Sequence, residues 1–291
     1  MIFDVITWNL DPEIFSIGNW GPRWYGLMFA LAFLSGYLIF KQYLRTDRLT
    51  AEMLDQLLIY SAIATIIGAR LGHCLFYEPD YYLKNPLEIL KIWKGGLAGH
   101  GAAITVPVAL WLYIRKYKLS FLWLIDRIVI VAALCGAFIR IGNFFNSEIY
   151  GLPTNLPWGV EFVRDRLYDS ATGELLPTVA RHPTQLYEAL SYILIFAGLF
   201  IFYRKKNMKV RDGFIFGVFL LALYIARFLI EFVKNDQVAF EAGMKFNMGQ
   251  LLSIPAILAG IAVIIWTKHK PRYFSQEPLA QVSGKQKKKD S

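Results

Sequence analysis

Cysteine is nearly missing from this chain, with two residues, Cys74 and Cys135, in 291. Both fall in apolar segments and read as small packing residues; no disulfide framework or metal-ligand spacing can be built from them. Charge is also scarce, at 18% of residues, less than an ordinary soluble domain carries. Acidic residues are the rarer sign, 22 against 31 basic, which leaves a formal charge of +9. The basic residues stand in short clusters between apolar runs rather than along one stripe, so lipid topology accounts for them and nucleic acid is not an expected partner. The first 23 residues set Asp4, Asp11 and Glu13 against Arg23, with no basic leader before an apolar run, and no cleavable signal peptide is expected. Internal repeats are lacking too, and the one low-complexity stretch is the basic tail.

What fills the chain instead is apolar surface: 56% of residues are hydrophobic and 16% aromatic. Crossing a bilayer core takes about 20 helical residues, and seven segments are long enough: roughly 24–43, 54–76, 95–114, 121–140, 184–203, 213–232 and 248–267. Pro107 and Pro255 lie inside the third and seventh, where neighbouring helices make such prolines tolerable. The fold class expected is therefore an all-α polytopic membrane protein of seven transmembrane helices. Loops on one side hold 18 Lys and Arg, those on the other 9, and four arginines (Arg70, Arg127, Arg140, Arg227) lie within the spans. The positive-inside bias then sets the N-terminus outside and the C-terminus in the cytoplasm. Residues 1–270 form the transmembrane domain, and the basic tail 271–291, with Lys285 to Lys289, reads as a disordered, lipid-facing anchor. Residues 141–183, between helices 4 and 5, are unusually long for a connection and carry turn signals plus a strand-like Gly159–Val163, so a small extracytoplasmic cap is expected there.

Polar chemistry gathers at the end of the fourth span. Arg140, Asn143, Asn146 and Glu148 follow the apolar run Ile128–Ile139. Ionisable residues at membrane depth are costly unless they face a partner, a cavity or a ligand, which makes this stretch a functional-site candidate. His100 enters the third span from outside and lies roughly 8 Å in at about 1.5 Å rise per residue. Arg70, Arg227 and Tyr25 fall at the same outer level of their own spans, giving five polar side chains from five helices. Arginine forks match phosphate oxygens, a histidine can shuttle a proton near neutral pH, and the amides with Glu148 can hold a hydroxylated head group. The residues alone thus suggest a phospholipid site with acid/base capacity.

Plainer roles stay open for several of them. Arg227 and Glu231, four apart on one helical face, could simply neutralise each other. Arg70 and His73 could bond carbonyls of a neighbouring helix, and Tyr25 fits an interfacial aromatic belt. Asp126 and Arg127, towards the inner end of the fourth span, read as a structural pair or a snorkelling anchor. His100, within Gly95-Gly96-Leu97-Ala98-Gly99-His100-Gly101, sits among glycines that permit close backbone approach to a ligand.

With these residues assembled, the chain resembles the prolipoprotein diacylglyceryl transferase family, integral enzymes of the bacterial inner membrane. The family signature Gly-Arg-x-Gly-Asn-Phe-x-Asn-x-Glu-x-x-Gly is met from Arg140 to Gly151, with Ile139 in place of the first glycine. Further matches follow in family order: Trp24 to Met28, Gly68 to Gly72, Gly95 to Gly101, Arg181-His182-Pro183-Thr184-Gln185-Leu186-Tyr187-Glu188, Arg227 with Glu231, and Met248-Gly249-Gln250. They extend from about Phe15 to Trp266. Ala102 replaces a glycine usual after the His-Gly pair, and Tyr224 stands three rather than four before the sixth-helix arginine.

The resemblance implies transfer of the diacylglyceryl group of phosphatidylglycerol to the lipobox cysteine thiol of preprolipoprotein signal peptides, forming a thioether and releasing glycerol 1-phosphate. It implies catalytic roles for His100, Arg140 and Arg227, and substrate binding by Arg140, Asn143, Asn146, Glu148 and Gly151, with Tyr25, Arg70, His182 and Glu231 in support. No metal or cofactor is expected, because the phosphate ester can leave once its charge is neutralised. Membrane lipids are the surroundings, and the active site faces the outer leaflet. The rival reading is a seven-helix transporter or receptor for an anionic ligand, which predicts broken helices or repeat symmetry. An intramembrane hydrolase would need an activated nucleophile, and Ser147 has no glycine-flanked elbow around it.

Overall fold

A computed structural model of the chain describes residues 5–18, 21–43, 49–92, 96, 98–165, 177–206, 209–235 and 244–269. The tail expected at 271–291 lies outside these residues, as do Gly95, Leu97 and residues 166–176 of the expected cap. In chain order the elements are β1 (Ile6–Trp8), α1 (Trp24–Tyr43), α2 (Ala51–Phe76), α3 (Pro79–Lys84), α4 (Gly99–Tyr117), α5 (Phe121–Phe145), β2 (Val160–Phe162), α6 (Thr184–Lys205), α7 (Phe214–Ile230) and α8 (Met248–Lys268). Short 3-10 turns occupy Pro86–Leu90 and Glu231–Val233.

In lipid a single segment satisfies its own backbone groups only as a helix, and each apolar run of the sequence is one. Six helices (α1, α2, α5, α6, α7 with its 3-10 extension, and α8) are long and apolar enough to cross a membrane. The remaining expected span, the third, is the helix α4, but Gly99, His100, Arg115 and Lys116 at its ends reduce its apolar stretch to Ala102–Ile114. The α8 face carrying Leu252, Leu258 and Ile265 is more than half exposed, as a lipid-facing surface would be.

The chain divides into two compact units: the described residues of Met1–Gly36 with Ile125–Phe274, and those of Tyr37–Leu124. In the second unit α2 starts at an N-cap, Thr50, whose side chain accepts from the Met53 N–H. Small residues let α2 and α4 approach backbone to backbone. A Cβ on Gly101 would stand 1.9 Å from the Gly68 carbonyl oxygen, and one on Gly68 would stand 1.8 Å from Thr105 Oγ1. Thr105 in turn donates to the Ala64 carbonyl at 2.6 Å, and the Ala98 N–H donates to the Ala69 carbonyl at 2.8 Å.

The first unit contains α6 to α8, α5 from Ile125 onwards, most of α1, and a small non-helical layer that adds two short strands to a mostly helical chain. β1 and β2 pair in parallel, with Ile6, Thr7 and Trp8 opposite Val160, Glu161 and Phe162. Phe144, Tyr150, Val160 and Phe162 form a buried cluster beneath them, with Trp8 packed on it. Bridges Pro153–Arg181, Val160–Arg181 and Gly151–Lys234 fasten the remaining loops to this layer. Asp11 and Arg164 join at 2.8 Å. Asp126 and Arg127 are buried and structural in use: Asp126 accepts from the N–H groups of Gly213 and Phe216, both at 2.7 Å, and so caps α7, while the Arg127 guanidinium lies over the Tyr203 ring.

Candidate active site

The helix α5 continues five residues past the expected end of its span, to Phe145, because nothing in Ile141–Phe145 breaks a helix. Arg140 and Asn143 therefore share its last turns. Ser147 and Ile149 then close it with φ of 56° and 61°. For a β-branched residue this left-handed region is strained and persists only where the surroundings hold it. Two side chains from the start of α6 do so: Gln185 Nε2 donates to the Glu148 carbonyl at 2.6 Å, and Thr184 Oγ1 donates to the Ile149 carbonyl at 3.0 Å. The turn aims Glu148 outward, into an open cleft of about 240 Å³ lined by Ser147, Glu148, Ile149, Tyr150, Asp165 and Asn235.

An amide relay joins this carboxylate to the arginine. Arg140 Nη1 donates to Asn143 Oδ1 at 3.3 Å. Asn143 Nδ2 donates to Glu148 Oε1 at 2.7 Å, and Asn146 Nδ2 reaches the same oxygen at 3.3 Å. The Tyr25 ring packs on Gly142, where a Cβ would stand 2.8 Å from the ring carbon Cδ2. A tyrosine from α1 thereby meets the signature at its central glycine.

Behind Arg140 lies a buried ionic network that the sequence analysis did not foresee. Arg140 Nε is 2.8 Å from Glu188 Oε2, whose side chain is fully buried. Lys234 Nζ is 3.2 Å from Glu188 and 3.2 Å from Glu231. Arg227 Nε is 3.5 Å from Glu231, so the expected pair forms but is shared. Asn247 Nδ2 also donates to Glu231, at 3.1 Å. The same Asn247 opens α8 in a capping box with Gln250, which gives the Met248-Gly249-Gln250 motif a structural reason. Burying ions costs several kcal/mol each, and a network of this kind endures only when every member has a partner.

His182 acts through its backbone and its ring. Its carbonyl accepts from the Gly151 N–H at 2.8 Å and its N–H donates to Leu152 at 3.0 Å. Nδ1 is 3.2 Å from the Tyr187 hydroxyl, which itself accepts from Trp158 Nε1 at 2.8 Å. Gly151 is required by close approach: a Cβ there would stand 2.3 Å from the Val233 carbonyl oxygen. Near the cleft, burial pushes the Asp165 carboxyl above the usual carboxylate range, against the pull of Arg181, and the Tyr150 hydroxyl donates to it. The Glu13 N–H, and then Arg164, hold Asp11 below that range.

Arg70 and His100 belong to the second unit. Arg70 is buried and donates to the carbonyls of Glu88, Ile89 and Gly96 at 2.6, 2.9 and 3.3 Å, beneath the Tyr82 ring. It fixes the loop leading to α4. His73 lies 3.7 Å from Glu78 rather than on a carbonyl. His100, in the first turn of α4, is exposed, its ring edge-on to Phe76 at 5.5 Å and tilted against Tyr77 at 5.6 Å. Among the described residues no group of three or more His, Cys, Asp or Glu is placed to hold a metal ion.

The structure thus gathers Tyr25, Arg140, Asn143, Asn146, Glu148, Gly151, His182, Arg227 and Glu231 within one unit. It adds Thr184, Gln185 and Glu188, which the sequence marks as part of a family motif without a site role, and Lys234 and Asn247, which sequence reasoning passed over. Lys234 left a signal, since it stands three after Glu231 and seven after Arg227, a helical spacing, but it reads as a loop charge.

The family model described as prolipoprotein diacylglyceryl transferase matches residues 12–266. A protein of Tolumonas auensis named phosphatidylglycerol–prolipoprotein diacylglyceryl transferase is 46% identical over 270 residues, covering 92% of this chain and 100% of its own. Proteins of the same name from Porphyromonas gingivalis (43% identical, 91% of this chain and 96% of the relative) and Nitrosomonas europaea (40% identical, 89% and 90%) are similarly related. A match over nearly the full length, together with a signature helix that carries its arginine, amides and carboxylate into one relay, makes this chain a member of the prolipoprotein diacylglyceryl transferase family.

Proposed function

We propose that this chain transfers the diacylglyceryl group of phosphatidylglycerol to the lipobox cysteine thiol of a preprolipoprotein, making a thioether and releasing glycerol 1-phosphate. The observation that carries this reading is the pair of arginines, Arg140 and Arg227, each held side-on by a buried carboxylate within a full-length family match.

The thiol is deprotonated, since the thiolate is the nucleophile. Sulfur attacks the glycerol carbon bearing the phosphate ester, the C–O bond breaks, and the electron pair leaves with the phosphate. A phosphodiester with one negative charge becomes a monoester with two, so charge grows where the arginine forks lie, and this growth is what fixed donors stabilise best. Arg140 and Arg227 bind the phosphate; Asn143, Asn146 and Glu148 hold the glycerol hydroxyls, with Tyr25 and His182 supporting. His100 takes or relays the thiol proton, and Arg70 acts on it through the loop it fixes. Gly151 and Glu231 serve the site by packing and pairing. All seven helices, α4 included, cross the bacterial inner membrane with the N-terminus outside and the C-terminus in the cytoplasm, and the layer around β2 is an extracytoplasmic cap that admits the signal peptide.

Purified protein, labelled phosphatidylglycerol and a lipobox peptide test this. Thioether product should form, and Arg140→Ala should lower its rate by about 100-fold or more. Transfer that survives this change would contradict the assigned role of Arg140, and full activity in His100→Ala would remove the histidine from the proton path. Lipid bound without any product would favour a receptor or transporter instead.

A further inference from the structure

The charges of the buried network do not cancel. Arg140 and Arg227 face Glu188 and Glu231, two against two, and Lys234 is the fifth charge, its side chain 3% exposed. A third carboxylate, Glu148, stands one amide removed, beyond Asn143. The manner of pairing is informative as well. Arginine closes on a carboxylate most tightly through two parallel N–H bonds, yet both arginines meet their carboxylates through Nε. Among the described residues the terminal nitrogens of Arg227 have no acceptor, whereas the Arg140 guanidinium is already engaged, by the Asn143 amide through Nη1 and by the Tyr192 hydroxyl.

We infer that Lys234 is a positioning residue that supplies the net positive charge of the five-membered buried network: by taking a share of both carboxylates it keeps the two arginines from being neutralised and leaves the terminal nitrogens of Arg227 for a phosphodiester. An ammonium suits the task because its three donors can turn towards two carboxylates at once. Its place is set by Gly151, whose missing side chain lets Val233 and Lys234 close against it. This rests on the phospholipid-transfer reading of the same site.

The test uses the full chain in detergent–lipid micelles, with phosphatidylglycerol varied at saturating lipobox peptide and then the reverse. Lys234→Met makes the network neutral and should raise KM for phosphatidylglycerol at least about tenfold, the effect of losing roughly one charged contact, while KM for the peptide stays put. Lys234→Arg should return to within about threefold of the parent. The pair Glu188→Gln with Lys234→Met removes one charge of each sign and should recover most of the lost affinity, which no loss of packing would do. An unchanged lipid KM in Lys234→Met overturns the inference, as does a double variant no better than the single. If Lys234→Met fails to fold, the double variant decides, because a lipid KM raised tenfold in it is equally fatal. A parent protein that makes no thioether refutes the transferase reading itself; a parent that turns over beside an indifferent Lys234→Met refutes only the role of the lysine.

Discussion

Gly151 shows how a residue without a side chain serves a charged site. A methyl at this position meets the Val233 carbonyl oxygen at 2.3 Å, along with His182 and Thr184, and the segment bearing Lys234 must retreat. Gly151→Ala should therefore cost about 1–3 kcal/mol of stability, the range for overpacking, and should lower lipid transfer further than that loss explains. Thermal unfolding compared with the transfer rate checks both parts. Arg140, the amides and Glu148 are legible in the sequence because the signature packs them into nine positions. The ionic role of Glu188, a motif residue, and that of Lys234 are not, because both come from contact between α6 and the end of α7, and charge counting assigns a lysine just beyond a span to the loop.

At the scale of elements, the α2–α4 seam is backbone against backbone. Gly101→Val should cost about 2–3 kcal/mol or prevent folding, since no flexible side chain can yield. A Cβ on Gly26 meets nothing within 4 Å, and Gly26→Ala should be neutral or gain up to about 1 kcal/mol from helix propensity. Chemical denaturation of the two variants side by side separates them. The β1–β2 pair has a pH signature. The Asp11 carboxyl is held below its ordinary 3.8, so its contribution is present above that pH and fades as the pH falls through the lowered value. Asp165, held above 3.8, has the opposite sign: ionising it as the pH rises works against the folded layer. Hydrogen exchange at β1 should be faster in Asp11→Asn than in the parent at pH 6, by less than about fivefold for so exposed a pair, and the difference should shrink as the pH is lowered below 3.8. Helix positions were readable from hydropathy alone. The end of α5 was not, because Asn143 and Phe144 are polar or aromatic enough to resemble a loop, and β1 was not, because its partner lies far along the chain.

For the molecule as a whole, the sequence speaks through an asymmetry of 18 basic residues against 9. A reporter fused after residue 291 should be active only in the cytoplasm, and one placed ahead of Met1 only outside; reporters of the two compartments read this directly. A reversed result would move the phosphate site to the other leaflet. What composition could not foretell is that the chain falls into two compact units, since that depends on which helices pack together. The glycine seam of the smaller unit carries a consequence for descent. Along it a gain of mass on one rod cannot be absorbed by the other, so single steps away from Gly68 or Gly101 are closed to a lineage. An alignment of relatives should therefore show that pair kept together, and the exposed leucines of α8 exchanged for other apolar residues.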